Sequence, residues 1–178
     1  MKKLLFIVGS FRKDSYNMAL AKTIYEYLKD KADIKFLSYE DIPYFNEDIE
    51  FPAPNKIKGI RNEVKEADGL MFFTPEYNHS YPGALKNLID WLSRPISEKE
   101  GNVLSGKLAA VAGASLGEGG TVSSQDALIS LLNFLNIHVM MTPRVMIPKV
   151  YQDYKDGKFL QSEKYIFRFA DKFLEFIK

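Results

Sequence analysis

Residues 4–8, Leu4-Leu5-Phe6-Ile7-Val8, are apolar at every position, and so is Leu70-Met71-Phe72-Phe73 after Gly69. A strand with one wet face alternates apolar and polar side chains, whereas an unbroken run is what a strand covered on both faces requires. Such strands need helices above and below them, and the sequence supplies amphipathic ones. Leu20, Ile24, Tyr27 and Leu28 share one face of a helix starting near Asn17. Ile57, Ile60, Val64 and Ala67 repeat the spacing, as do Leu85, Leu88, Ile89 and Leu92. Leu128, Leu131, Leu132 and Leu135 mark a further helix, and Ile166, Phe169, Ala170, Phe173, Leu174 and Ile177 the last one. Residues 34–37, 107–113 and 137–141 read as the remaining strands. Strand and helix therefore alternate five times, the pattern of an α/β fold with a doubly wound parallel sheet and helices on both faces.

Between these elements lie an irregular segment with Pro43, Pro52 and Pro54, and a polar loop at residues 97–102. Pro143 and Pro148 punctuate the connection after the fifth strand, and Asp156-Gly157 signals a turn. No internal repeat or linker divides the chain, and 178 residues suit a single domain spanning 1–178. The net charge of +1 gives no basis for a nucleic-acid or anionic-membrane partner. No apolar run approaches the roughly 18 residues of a transmembrane helix. Met1-Lys2-Lys3 before an apolar stretch superficially resembles a secretion signal. That stretch is too short and has no small-residue cleavage site after it, so a cytoplasmic protein is expected. There is no cysteine and only two histidines, His79 and His138. Thiol chemistry and thiolate metal sites are excluded, a histidine-rich metal site is not expected, and any redox chemistry must be carried by an organic cofactor.

In open α/β sheets ligands bind beyond the carboxyl ends of the strands, and three loops there carry chemistry. The first is Gly9-Ser10-Phe11-Arg12-Lys13-Asp14-Ser15-Tyr16-Asn17. It runs into a helix N-terminus, whose free N–H groups and partial positive charge favour anions. Ser10, Ser15 and Asn17 add short donors, and Arg12 adds a fixed cation suited to phosphate. Ser15 or Asn17 equally suits a helix cap. The loop ends in neither a nucleoside-triphosphate signature nor the G-x-G-x-x-G of dinucleotide folds. The second is Thr74-Pro75-Glu76-Tyr77-Asn78-His79-Ser80-Tyr81-Pro82-Gly83, stiffened by two prolines. The third is Gly113-Ala114-Ser115-Leu116-Gly117-Glu118-Gly119-Gly120, where glycines allow close backbone approach to a flat ligand.

The second loop and the helix after it, Pro75-Glu76-Tyr77-Asn78-x-Ser80-x-Pro82-Gly83-x-Leu85-Lys86-Asn87-x-Ile89-Asp90-Trp91, resemble the signature of the NADPH-dependent FMN reductases. The first loop resembles that family's Gly-Ser-x-Arg-x-x-Ser-x-Asn phosphate loop. The resemblance implies a flavodoxin-like sheet of five strands in the order 2-1-3-4-5, FMN as cofactor and NADPH or NADH as co-substrate. It implies that Ser10, Arg12, Ser15, Asn17 and the Met18 backbone hold the FMN phosphate. It places Pro75, Glu76, Tyr77, Asn78 and Ser80 beside the ring and ribityl chain, with Ser115 and Gly117 flanking the flavin. No side chain is assigned as an essential proton donor. The implied activity passes hydride from nicotinamide through flavin to a small acceptor such as a flavin, quinone or azo compound, in ping-pong order. A homodimer or homotetramer built on the helix after the second loop is implied as well.

Thr121-Val122-Ser123-Ser124 stands where the family often has an arginine. Trp91 can anchor an interface or fill the core. His79 can face the ring edge or solvent, and His138, at the start of a strand, reads as a structural histidine. The competing readings are a flavodoxin-type electron carrier, which would lack both Arg12 and the Pro-Glu-Tyr-Asn run, and an interaction module that has lost its flavin.

Overall fold

The computed structural model describes residues 1–97 and 99–178; Glu98, in the expected polar loop, lies outside them. β1 (Lys2–Val8) leads through α1 (Tyr16–Leu28) to β2 (Ala32–Phe36). A short 3-10 helix at Glu47–Ile49 precedes α2 (Asn55–Glu66), β3 (Gly69–Phe73) and α3 (Gly83–Ser93). Then come β4 (Leu108–Ala114), α4 (Val122–Phe134), β5 (His138–Val139) and β6 (Val145–Ile147). The single turn α5 (Val150–Asp153), a hairpin of β7 (Tyr154–Lys155) and β8 (Lys158–Phe159), and α6 (Glu163–Phe176) follow. Asp156 and Gly157, with φ of 49° and 82°, form that hairpin's turn, as their sequence signals.

The sheet is parallel in the order β2-β1-β3-β4-β5, which is the flavodoxin-like winding. The apolar runs explain the order: β1 and β3 are buried at every apolar position and lie inside, while β2, with its alternating burial, forms an edge. The fifth position differs from expectation. In place of one strand over residues 137–141, β5 pairs with β4 only at Leu108 and Ala109. The chain then leaves the sheet, and β6 returns to pair with Ala112, Gly113 and Ala114. Pro143, which has no N–H for the ladder, sits in the break. His138 is correspondingly exposed at the sheet edge, not enclosed as a structural histidine.

α1 and α6 cover one face of the sheet, where Leu20, Ile24, Phe169 and Phe173 meet Phe6, Met71 and Phe73. α2, α3 and α4 cover the other, around Ile7, Leu70, Phe72 and Val111. Trp91 is wholly buried between Ala53 and Ile57, and its Nε1 donates to Pro43 O at 2.8 Å. It belongs to the core of the protomer, which removes it as an interface anchor. Among the described residues no helix is long and apolar enough to cross a membrane.

Register positions the site. Val8 lies opposite Phe73, and Phe73 opposite Ala112, so the three central strands end nearly level. The loops that start at Gly9, Thr74 and Ser115 consequently leave the sheet along one edge.

Candidate functional site

These loops enclose a cleft of about 470 Å³. Of the residues singled out from the sequence, Ser10, Arg12, Ser15, Asn17, Pro75, Glu76, Tyr77, Ser115 and Gly117 line it, together with Tyr16 and His79. Met18, Asn78 and Ser80 do not. Segments more than a hundred residues apart in sequence thus meet at one place.

In the first loop Ser15 caps α1: its Oγ accepts from Met18 N at 3.2 Å. The Met18 amide, which the resemblance assigns to phosphate, is already committed to that cap. Asn17 is 3 % exposed and spends both ends of its amide on β4. Nδ2 donates to Ala114 O at 3.0 Å, and Oδ1 accepts from Ala114 N at 2.9 Å. Asn17 is therefore a strut between the first and third loops. The groups left facing the cleft are the earliest amides of α1, which have no intrahelical partner, the Ser10 side chain and Arg12. The Arg12 guanidinium lies 5.9 Å from the Tyr16 ring centroid and makes no ion pair among the described residues.

The second loop is a two-residue hairpin. Tyr77 N donates to Ser80 O at 2.9 Å and Ser80 N to Tyr77 O at 3.0 Å. Asn78 and His79 occupy the turn with φ of 52° and 59°, the pair of left-handed residues such a turn demands. Asn78 and Ser80 thus shape the loop, while Tyr77, half exposed, and His79 project at the cleft. Glu76 serves a helix N-terminus, as a carboxylate beside a helix entry can, but that of a helix distant in sequence. Its Oε2 accepts from Ser124 N at 3.0 Å, in the first turn of α4. That helix has no side-chain cap of its own and no acidic residue in its first turn, so a carboxylate from another loop satisfies and neutralises its N-terminus.

Beneath Glu76 lies a buried polar network. Thr74 Oγ1 and Ser124 Oγ are 2.9 Å apart, and each donates to Pro75 O at 2.8 Å in alternative arrangements of their protons. Gln125 Nε2 donates to Thr121 Oγ1 at 2.9 Å and to Val145 O at 2.7 Å. The stretch Thr121-Val122-Ser123-Ser124, noted for lacking an arginine, supplies the α4 side of this support. The sequence assigns Thr74, Ser124 and Gln125 no role in the site, because a threonine, serine or glutamine carries no signal of burial.

The third loop is tied down by its neighbours. Ser115 N donates to Ile147 O, Lys149 N to Gly117 O and Val150 N to Ser115 O, each at 3.0 Å. The Ser115 hydroxyl donates to Gly120 O, closing the loop on itself. Gly113 is sterically required, since a Cβ there would overlap Thr121 Oγ1 and Thr74 O. Gly117 and Gly119 differ: a Cβ on Gly119 would meet nothing within 4 Å, and one on Gly117 only Ser115 Oγ at 3.8 Å. Their role is the open space they leave beside the cleft. Glu118 at the rim pairs with Lys149 at 2.8 Å.

A free arginine and helix-terminal amides, an open glycine wall, a tyrosine-bearing hairpin and a volume suited to one small ligand together fit a phosphate joined to a flat ring. Fold and site together define a flavodoxin-like flavoprotein. The family pattern of the NADPH-dependent FMN reductases matches residues 2–152. An NAD(P)H-dependent FMN reductase of Pseudomonas aeruginosa is 40% identical over 146 residues, 82% of this chain and 77% of its own. A quinone reductase of Pseudomonas putida is 35% identical over 175 residues, 97% of this chain and 92% of its own. Among solved structures, the flavoenzyme NAD(P)H:(acceptor) oxidoreductase of Paracoccus denitrificans superposes with a TM-score of 0.90 at 32% identity, covering 99% of this chain and 97% of that one. The chain belongs to the NADPH-dependent FMN reductase family. It is an FMN-dependent NAD(P)H oxidoreductase that passes hydride to a small acceptor.

Proposed function

We propose that this oxidoreductase is a quinone reductase, working in the cytoplasm by alternating use of one cleft. The observation that carries the reading is the convergence of the Arg12 loop, the Tyr77–Ser80 hairpin and the glycine loop on that cleft. Arg12, Ser10 and the first amides of α1 hold the phosphate of FMN. Tyr77 and the wall at Gly117 and Gly119 enclose the ring. When bound, FMN supplies a two-electron hydride store that a chain without cysteine lacks. Asn17 and Glu76 fix the spacing of the walls through Ala114 and Ser124, so the site is organised before ligands arrive and loses little entropy on binding. A cleft of about 470 Å³ is of the size that takes one ligand. With FMN filling it, a single face of the ring is left for nicotinamide and quinone to use in turn, which gives ping-pong kinetics. A quinone acceptor is supported by the Pseudomonas putida relative, similar over nearly its full length.

The test is an absorbance spectrum of the purified protein. FMN-loaded protein is expected to be yellow, to be bleached by anaerobic NADPH alone, and to regain its colour on adding a quinone. Protein that takes up no FMN, or bound flavin that NADPH bleaches only when quinone is present, would overturn the reading. A homodimer or homotetramer built on α3, the helix that follows the hairpin, is part of the proposal. A monomer by light scattering at micromolar concentration would remove that part.

A further inference from the structure

We propose that His79 is the proton donor to the acceptor, protonating one oxygen of the bound quinone as hydride arrives. The inference rests on the quinone-reductase reading above. A quinone becomes a hydroquinone by taking up one hydride and one proton. The hydride brings two electrons and one hydrogen, and NAD(P)H is oxidised to NAD(P)⁺ in supplying it. The other hydrogen must come from an acid. The titratable side chains lining the cleft are Arg12, Tyr16, Glu76, Tyr77, His79 and Glu118. Guanidinium does not release its proton, phenols hold theirs to about pH 10, and carboxylic acids have lost theirs well below neutrality. Imidazole is the side chain type suited to give and regain a proton near pH 7.

Geometry places His79 for this work. Its backbone, at φ 59°, is held in the hairpin closed on both sides by Tyr77 and Ser80. Its Nδ1 lies 3.6 Å from Glu76 Oε1, and Glu76 is itself held by Ser124 N through its other oxygen. The carboxylate thus lies on the Nδ1 side of the ring and leaves the far nitrogen, Nε2, for the acceptor. The other charges around the cleft are Arg12 on the first loop, Glu118 on the third, paired with Lys149, and the positive end of α4, already neutralised by Glu76. The His79 side chain is 89% exposed. After imidazolium has given its proton to the quinone oxygen, neutral imidazole can recover one directly from water.

The experiment follows the second half-reaction in FMN-loaded protein that NADPH has already reduced. Two acceptors are compared: a benzoquinone, which needs a proton, and ferricyanide, which takes an electron and no proton. His79→Asn is the first variant, since asparagine accepts a left-handed φ. The quinone-to-ferricyanide rate ratio is expected to fall about 10- to 100-fold, at or below the low end of general acid catalysis because water has access. The wild-type quinone rate should fall as pH rises, and that fall should vanish in the variant. His79→Gly, free of backbone strain at this φ, should recover quinone reduction when imidazole is added. His138→Asn, at the sheet edge away from the cleft, should behave as wild type. It also leaves a single histidine, whose ring resonance, titrated by NMR, should have the midpoint of the alkaline limb. An unchanged ratio in His79→Asn, or an alkaline limb that persists without His79, would overturn the assignment. Wild-type protein that NADPH cannot reduce, or that quinone cannot reoxidise, would instead overturn the underlying reading, and the assignment with it.

Discussion

Replacing Asn17 by alanine is expected to destabilise the protein even with no cofactor bound. Both polar atoms of Asn17 are engaged with Ala114, at 3.0 Å to its oxygen and 2.9 Å to its nitrogen. Asn17 is 3% exposed and Ala114 2%. Truncation strands one N–H and one C=O, each at about 1–3 kcal/mol. The adjoining cleft admits water that partly repairs the loss, which places the total near ~2–4 kcal/mol. For a chain of this size about 2–4 °C of melting temperature follows each kcal/mol, so the apoprotein should melt roughly 4–16 °C lower. Thermal unfolding followed by circular dichroism gives the shift, and fluorescence titration with FMN gives the accompanying loss of affinity. Asn17→Asp should do no better than alanine at pH 7, because it puts a carboxylate oxygen against Ala114 O. If the alanine variant melts within about 1 °C of wild type but binds FMN tenfold more weakly, the clamp is energetically idle. Asn17 would then be a direct ligand.

Arg12→Ala removes one charge-assisted contact, worth about 1.5–3 kcal/mol. It should weaken FMN roughly 10- to 150-fold and leave riboflavin nearly unaffected; equal losses in paired titrations would refute the phosphate assignment. Gly113→Ala drives a methyl into Thr121 Oγ1 and Thr74 O, and should cost about 1–3 kcal/mol or more in denaturant unfolding. Gly119→Ala, with nothing within 4 Å, should not. Tyr39 donates its hydroxyl to Val8 O at 2.8 Å, and burial pushes its phenol far above the usual range. Above about pH 10 the unfolded chain loses this proton while the folded protein keeps it. Stability should therefore fall by roughly 1.4 kcal/mol per pH unit there, and Tyr39→Phe should remove that contribution, as alkaline denaturation curves would show.

The sheet was legible because its evidence is local and redundant. Strands at residues 4–8 and 69–73 announce burial on both faces by having no polar position, and the helical stripes announce their own period. The three site loops were legible too, through residue types with few other uses in that setting: Arg12 after a glycine-serine, two prolines around Tyr77, four glycines in eight residues. What tertiary structure alone decided is which polar groups remain free once the loops meet. Asn17, Ser15, Glu76 and Ser115 all look like ligand contacts in one dimension. Folding spends Asn17 on Ala114, Ser15 on Met18, Glu76 on Ser124 and Ser115 on Gly120. Arg12 and His79 are left facing the cleft. The division of the fifth strand, the burial of Trp91 and the exposure of His138 were decided in the same way. A buried polar group must find a partner, and which partner lies within 3 Å depends on how distant segments pack. A residue's type states what it can bond to; only the packed chain states what reaches it first.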